Sequence, residues 1–201
     1  MALWVANFFA SRVGLSLCAA VSGNHSIVNC DHSTVIYNPS NETMQHLRAS
    51  FGDKVELRAL AVARDAHGQA VLLHLDAGLD AALSNNSWPH STVATEGRWP
   101  YTPVYSNCLW ERVAATSQAV VTHDSEHKPL AIELPGGSTR WAGTLPQGRC
   151  TGGSSSYSPT EASVEILTLS AQGPYSATLC SNDLWDRETG QCQPYMVVEI
   201  A

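Results

Sequence analysis

The sequence predicts an α+β fold of two facing lobes followed by a β-rich tail, and three observations predict it. The tetrapeptide His-Ser-Thr-Val occurs twice, at 32–35 and 90–93, each time in a strand entered from a polar loop and followed by a loop and a short helix. Between the copies, two apolar-rich stretches flank Asp65-Ala66-His67-Gly68, a turn sequence suited to a hairpin. After Gln147 the composition changes, and Gly152-Gly153-Ser154-Ser155-Ser156 reads as a connector. The expected organisation is one domain over residues 1–146 and a β-rich extension over 147–201.

The elements follow in order. Ala2 to Phe9 is apolar enough for a first strand, with a short helix expected near Ser11 to Ala20. Cys30 to Tyr37 is rich in β-branched residues and bounded by Asn-Pro-Ser, which predicts a strand. Ser40 is a candidate N-cap for a helix to about Ser50, with Met44, Leu47 and Phe51 on its apolar side and Gly52 as its stop. Lys54 to Arg64 and Gln69 to Leu75 are the hairpin strands. Asn85 to Pro89 is a loop into the second motif strand, His90 to Thr95, and a helix is expected from Ser106 to about Ala115. Leu130 to Leu134 and Thr139 to Leu145 read as closing strands. The tail offers Ser163 to Ser170, Tyr175 to Cys180 and Met196 to Ile200.

The totals exclude some functions. Of 201 residues, 44% are apolar and 14% charged, so a core is available and global disorder is not expected. A net charge of −7 argues against an extended nucleic-acid groove, which needs clustered Lys and Arg to displace counterions. One phosphate or one RNA end needs only a few local donors. No Walker-type or dinucleotide-type glycine loop is present, which removes kinases and dinucleotide enzymes.

Six cysteines (18, 30, 108, 150, 180, 192) include no C-x-x-C pair, so structural zinc is not expected. Reduced thiols are the expectation, although Cys180 and Cys192 flank a polar stretch and would bridge in an oxidising compartment. Met1 to Gly23 is apolar but lacks a basic start, and Asn7 and Arg12 interrupt it, which argues against a secretory signal or a membrane span. The expected location is the cytoplasm. Sequons at Asn24, Asn41 and Asn85 would matter only in a secreted chain.

The chemistry lies in the repeated motif. Strand residues i and i+2 share a face, so His32 and Thr34 project together, as do His90 and Thr92, with Ser33 and Ser91 opposite. A hydroxyl can donate to a phosphate oxygen while the imidazole beside it moves a proton near neutral pH. Two such units facing each other supply a base on the attacking side of phosphorus and an acid on the leaving side. A lone H-x-T in a strand is usually structural; two copies, each opening an apolar strand, carry the functional reading. Trp88, Trp99, Tyr101 and Tyr105 flank the second motif. Trp88 and Tyr105 are the candidates for stacking on a nucleobase, with core packing the alternative for each. His74 reads as a satisfied core or edge histidine, His25 as a loop residue, and His123 and His127 as solvated rather than metal ligands. Cys108 has no base beside it in sequence and is not a candidate nucleophile.

On these residues the chain resembles the 2H phosphoesterases. Residues 4–110 are similar to the cyclic phosphodiesterase domain of plant and fungal tRNA ligases and related RNA-repair proteins. The likeness lies in Trp4 to Phe9, Asp31-His32-Ser33-Thr34-Val35, Val55 to Leu75, Trp88-Pro89-His90-Ser91-Thr92-Val93 and Val104-Tyr105-Ser106-Asn107-Cys108-Leu109. It implies a bilobal fold, two antiparallel sheets facing a central cleft with outer helices, without a metal; no cofactor is expected. It implies His32 and His90 as catalytic acid and base, and opening of a 2′,3′-cyclic phosphate on a nucleoside or an RNA 3′ end. The extension over 147–201 and the lack of neighbouring ligase and kinase domains depart from those relatives. Other readings are a different 2H substrate (ADP-ribose cyclic phosphate or a 2′-5′ linkage), a silent nucleotide or RNA-end binding module, and a secreted, cysteine-bridged β-rich protein.

Overall fold

A computed structural model describes residues 3–9, 27–28, 30–75, 86–98, 101–125, 127–148, 150–152 and 155–193. The strands are β1 (Trp4–Phe9), β2 (Ile27–Val28), β3 (His32–Tyr37), β4 (Lys54–Asp65), β5 (Gly68–Leu75), β6 (His90–Thr95), β7 (Val120–His123), β8 (Pro129–Glu133), β9 (Arg140–Leu145), β10 (Cys150–Gly152), β11 (Ser155–Tyr157), β12 (Ala162–Ser181), β13 (Trp185–Asp186) and β14 (Gln191–Cys192). The helices are α1 (Asn41–Arg48) and α2 (Tyr105–Ala115). The fold is α+β, built on one large antiparallel sheet. The expected helix at 11–20, the strand at 196–200, His25 and Trp99 lie outside the described residues.

Local chemistry accounts for most elements. Ser40 caps α1 by accepting the Thr43 amide at 3.1 Å, and Met44 and Leu47 are buried against Val5, Val35 and Leu179. The Asp65 carboxylate accepts the amides of His67 (2.8 Å) and Gly68 (3.0 Å), which closes the β4–β5 hairpin. All of β5 is buried because it is covered on both faces: Ala70 and Leu72 join the core beneath α2, while Val71, Leu73 and Leu75 join a second core with Phe9, Val93 and Ala177. Each such leucine contributes about 1.5–3 kcal/mol by burial.

The sheet topology sharpens two expectations about architecture. The strands run in the order β2-β6-β5-β4-β12-β1-β3, with β9 also on β12, so the lobes share one continuous sheet instead of forming two. Strand pairing crosses the expected boundary at 146/147. Residues 162–181 form an interior strand of the sheet, whose first half pairs with β9 and the end of β4, and whose second half pairs with β1 and the start of β4. Ser163–Ser170 and Tyr175–Cys180 are thus one strand, interrupted where the β4 register slips between Thr168 and Tyr175. Gly173 sits in that interruption at φ +126, and a Cβ there would press on the Leu57 carbonyl at 3.3 Å. Strand β12 joins β4 to β1 within the sheet and also carries β9.

The cysteines are also corrected. Cys108–Cys150 and Cys180–Cys192 are disulfides with Cα separations of 5.2 and 5.7 Å, and Cys30 is disulfide-bonded too. The first ties α2 to β10, so residues beyond 146 are stitched to the earlier part of the chain. Buried Arg112 adds to this, donating to the carbonyls of Pro146 (3.1 Å), Leu145 (3.4 Å) and Thr160 (2.7 Å). No described helix is long and apolar enough to cross a membrane.

Candidate functional site

The ends of the sheet are brought together by the chain itself. Strand β2 pairs antiparallel with β6 at Ile27↔Thr95 and Val28↔Ala94, and the Cys30 amide donates to the Thr92 carbonyl at 2.7 Å. Beyond this point His32 and His90 lie near enough for the charge of the first to bear on the second. Cys30 stands at φ +44, a sharp change of direction, and from His32 the chain runs as β3 along β1 instead. The same crossing is fastened by Asn86, whose side-chain amide donates to the Thr34 carbonyl at 3.2 Å. The two motifs, 58 residues apart in sequence, are neighbours in space.

On β3, His32 pairs with Phe8 and Thr34 with Ala6, and a bulge at Val35 follows. His32 and Thr34 are half-buried on one face; Ser33 and Val35 are buried on the other. The His32 Nδ1 lies 2.6 Å from Asp31 Oδ1, and its ring lies 4.5 Å from Trp4 and 5.7 Å from Phe8. Arg187 Nη2 lies 3.2 Å from the other Asp31 oxygen. Burial alone would raise the Asp31 carboxyl, but the hydrogen bond and charge of His32 and the charge of Arg187 outweigh it and hold the group below its ordinary range. Asp31 is therefore an anion at neutral pH, and His32 Nδ1 carries the shared proton.

On β6 the same tetrapeptide is fully covered: His90 is 6% exposed, Thr92 8% and Ser91 0%. His90 Nδ1 lies 2.6 Å from the Trp88 carbonyl. A carbonyl only accepts, so Nδ1 carries a proton, and a neutral ring leaves the lone pair on Nε2. Burial strips the cation of water and pushes the pKa down to about 4; the Trp88 carbonyl opposes this, and the charge on nearby His32 adds to it. Thr92 Oγ1 lies 3.2 Å from the Pro103 carbonyl and 2.9 Å from Ser106 Oγ at the start of α2.

The aromatic candidates divide. Tyr105 is corrected: its side chain is 0% exposed, and its hydroxyl donates to Asp65 and accepts from Arg112 at 3.0 Å. It is core, and burial together with the Asp65 charge pushes its pKa up, so it offers no face to a ligand. Trp88 is half-buried, packed on the core beneath α2 and edge-on to His123 at 5.7 Å. Tyr101 is stacked flat on His67 at 3.7 Å. His74 is a satisfied core histidine, with Nδ1 2.9 Å from the Pro129 carbonyl. His123 lies at the end of β7, paired with β8 rather than in a loop, and among the described residues no group of three or more His, Cys, Asp or Glu is arranged to hold a metal ion.

Sequence reasoning left Asp31, Arg187 and Trp4 without roles. Asp31 was within reach, since a carboxylate directly before a motif histidine is a visible signal. Arg187, 155 residues from His32, carries no local signal.

No family model matches this chain, and no curated protein does. Among solved structures, the crystal structure of a fungal RNA kinase matches at a TM-score of 0.50 and 13% identity, covering 89% of this chain and 45% of that one. The likeness is one of fold, and this chain spans less than half the length of that protein.

Proposed function

We propose that the protein is a metal-independent cyclic phosphodiesterase of the 2H type, opening a nucleoside or RNA-terminal 2′,3′-cyclic phosphate to the 2′-phosphate. The observation that carries this reading is the opposite setting of the two motif histidines. His90 is held neutral with a lone pair on Nε2, as a base requires, and His32 has its Nδ1 on an ionised carboxylate, which would stabilise the imidazolium that an acid requires.

In this mechanism His90 Nε2 takes a proton from water as the water oxygen attacks phosphorus. The bond from phosphorus to the ribose 3′ oxygen breaks, and His32 Nε2–H protonates that oxygen as it leaves. Asp31 stabilises the imidazolium before the transfer and orients the ring. The Thr34 hydroxyl and, after turning from Pro103 and Ser106, the Thr92 hydroxyl would donate to the non-bridging oxygens, where charge grows in the transition state. The fold shared with a fungal RNA kinase supports RNA ends as the substrate class. The disulfides support an oxidising compartment over the cytoplasm expected from the first residues.

A binding-only module is the second reading, favoured by the engagement of the Thr92 hydroxyl within the protein. Incubation with 2′,3′-cyclic AMP in EDTA, with products resolved, tests both. The expected outcome is adenosine 2′-phosphate at an undiminished rate. Binding without turnover would establish the module, and activity lost in EDTA and restored by zinc or magnesium would overturn the metal-free mechanism.

A further inference from the structure

The β13–β14 hairpin is docked against the His32 side of the site. Cys192 on β14 is bonded to buried Cys180 on β12, and Trp185 stacks on Phe8 with ring centres 4.8 Å apart and planes 14° apart. The Asn182 side-chain oxygen accepts the Trp4 amide at 2.9 Å, and the Gln193 amide donates to the Leu184 carbonyl at 2.8 Å. Within the turn, the Asp186 carboxylate gathers the amides of Glu188 (2.8 Å) and Thr189 (3.2 Å) and the Gln193 side chain (3.2 Å). Arg187 sits in the middle of this arrangement, and its guanidinium reaches Asp31 Oδ2 at 3.2 Å while Asp31 Oδ1 holds His32.

An ion pair with a 72% exposed arginine contributes little to stability, so stability does not explain the construction. Orientation does. A carboxylate turns broadly about its last bond, and a second partner on the far oxygen removes that freedom. Arginine suits the task because it is always charged and its donors are fixed in a plane.

We propose that Arg187 is a positioning residue: by gripping Asp31 Oδ2 it fixes the carboxylate that orients His32. Its catalytic consequence rests on the phosphodiesterase reading; the coupling to His32 does not. The groups facing His32 are Asp31 beside it in the chain, Arg187 from the hairpin and His90 from β6, while β1 presents the rings of Trp4 and Phe8. Removing the guanidinium leaves the Asp31 charge unshared and takes away a cation that repels imidazolium. The His32 titration midpoint therefore rises as its orientation loosens.

The test is an NMR titration of the His32 ring in the intact, disulfide-bonded protein, wild type against Arg187→Gln, Arg187→Lys and Arg187→Glu. For a cation roughly 6–8 Å away in a solvent-exposed setting, Arg187→Gln should raise the midpoint by about 0.5 unit. Arg187→Glu should raise it further, and Arg187→Lys should return it to the wild-type value. With 2′,3′-cyclic AMP, Arg187→Gln should lower kcat on the order of 10-fold with KM little changed, and Arg187→Lys should recover part of that loss. A midpoint unmoved in both Arg187→Gln and Arg187→Glu would overturn the proposal, whatever happens to kcat. A midpoint that moves in Arg187→Gln and Arg187→Glu, in a protein whose wild type shows no turnover, would uphold the coupling and sink the phosphodiesterase reading.

Discussion

His32-Ser33-Thr34-Val35 and His90-Ser91-Thr92-Val93 are the same tetrapeptide on two strands, yet they meet different surroundings. Strand β3 closes the sheet at one end, so His32 keeps partial access to solvent and touches an anion. Strand β6 lies between β5 and β2 and beneath α2, so His90 is covered and touches a neutral carbonyl. The first ring has a carboxylate for a partner, and the second is held neutral by burial. Identical residues acquire different settings because neighbouring charge and desolvation, not side-chain type, decide them.

The largest effect that would sharpen or break this comparison is loss of either histidine. His32→Ala and His90→Ala should each lower turnover of 2′,3′-cyclic AMP by about 10²–10⁴-fold, the scale of general acid–base catalysis. The pH profiles should then separate them: the variant without His32 loses the alkaline limb, and the variant without His90 loses the acid limb. The reverse pattern would exchange the roles.

A smaller effect is thermodynamic. His90 titrates near 4 in the folded protein and near 6.5 when unfolded. Above about pH 6.5 the ring is neutral in both states and adds nothing; below it the unfolded chain takes the proton first, so stability falls as pH drops towards 4. The loss should reach about 3 kcal/mol over that window. Urea melts at pH 7, 5.5 and 4 measure it, and His90→Gln should flatten that part of the dependence. A His32→Gln variant that flattened it as strongly would break the contrast.

The smallest effect concerns the middle residues. The Ser33 and Ser91 hydroxyls are buried without a hydrogen-bond partner among the described residues. Ser33→Ala and Ser91→Ala should each leave turnover unchanged and raise stability by roughly 0–1 kcal/mol, since an unmet polar group is removed. A loss of activity in either would mean that the face opposite the histidines also serves the site.

Much of the fold was legible from local signals. The Ser40 cap, the Asp65–Gly68 turn and the helix near Ser106 form where their residues indicate, because capping and turn bonds are made within a few residues. The place of β12 was not. A strand rich in Thr, Ser and Leu after a Gly/Ser connector looks the same whether it ends a tail or spans the middle of a sheet, and only its partners on β4, β1 and β9 distinguish the two. Tyr105 failed for a related reason: an aromatic residue beside a motif packs either way, and here Asp65 and Arg112 draw it inward. The thiols failed because pairing depends on distance through space, which spacing along the chain does not set.

What the sequence determined by itself is the chemistry on offer: two imidazoles, each with a hydroxyl on the same face of a strand, since alternation along a strand is a local rule. The tertiary structure decided the rest. It brought the two motifs near each other by running β2 along β6 before β3, it buried one ring and left the other beside Asp31, and it brought Arg187 from the far end of the chain to that carboxylate. Proton affinity depends on which charges and how much water lie within a few ångströms, and those neighbours come from distant parts of the chain that only the folded sheet brings together.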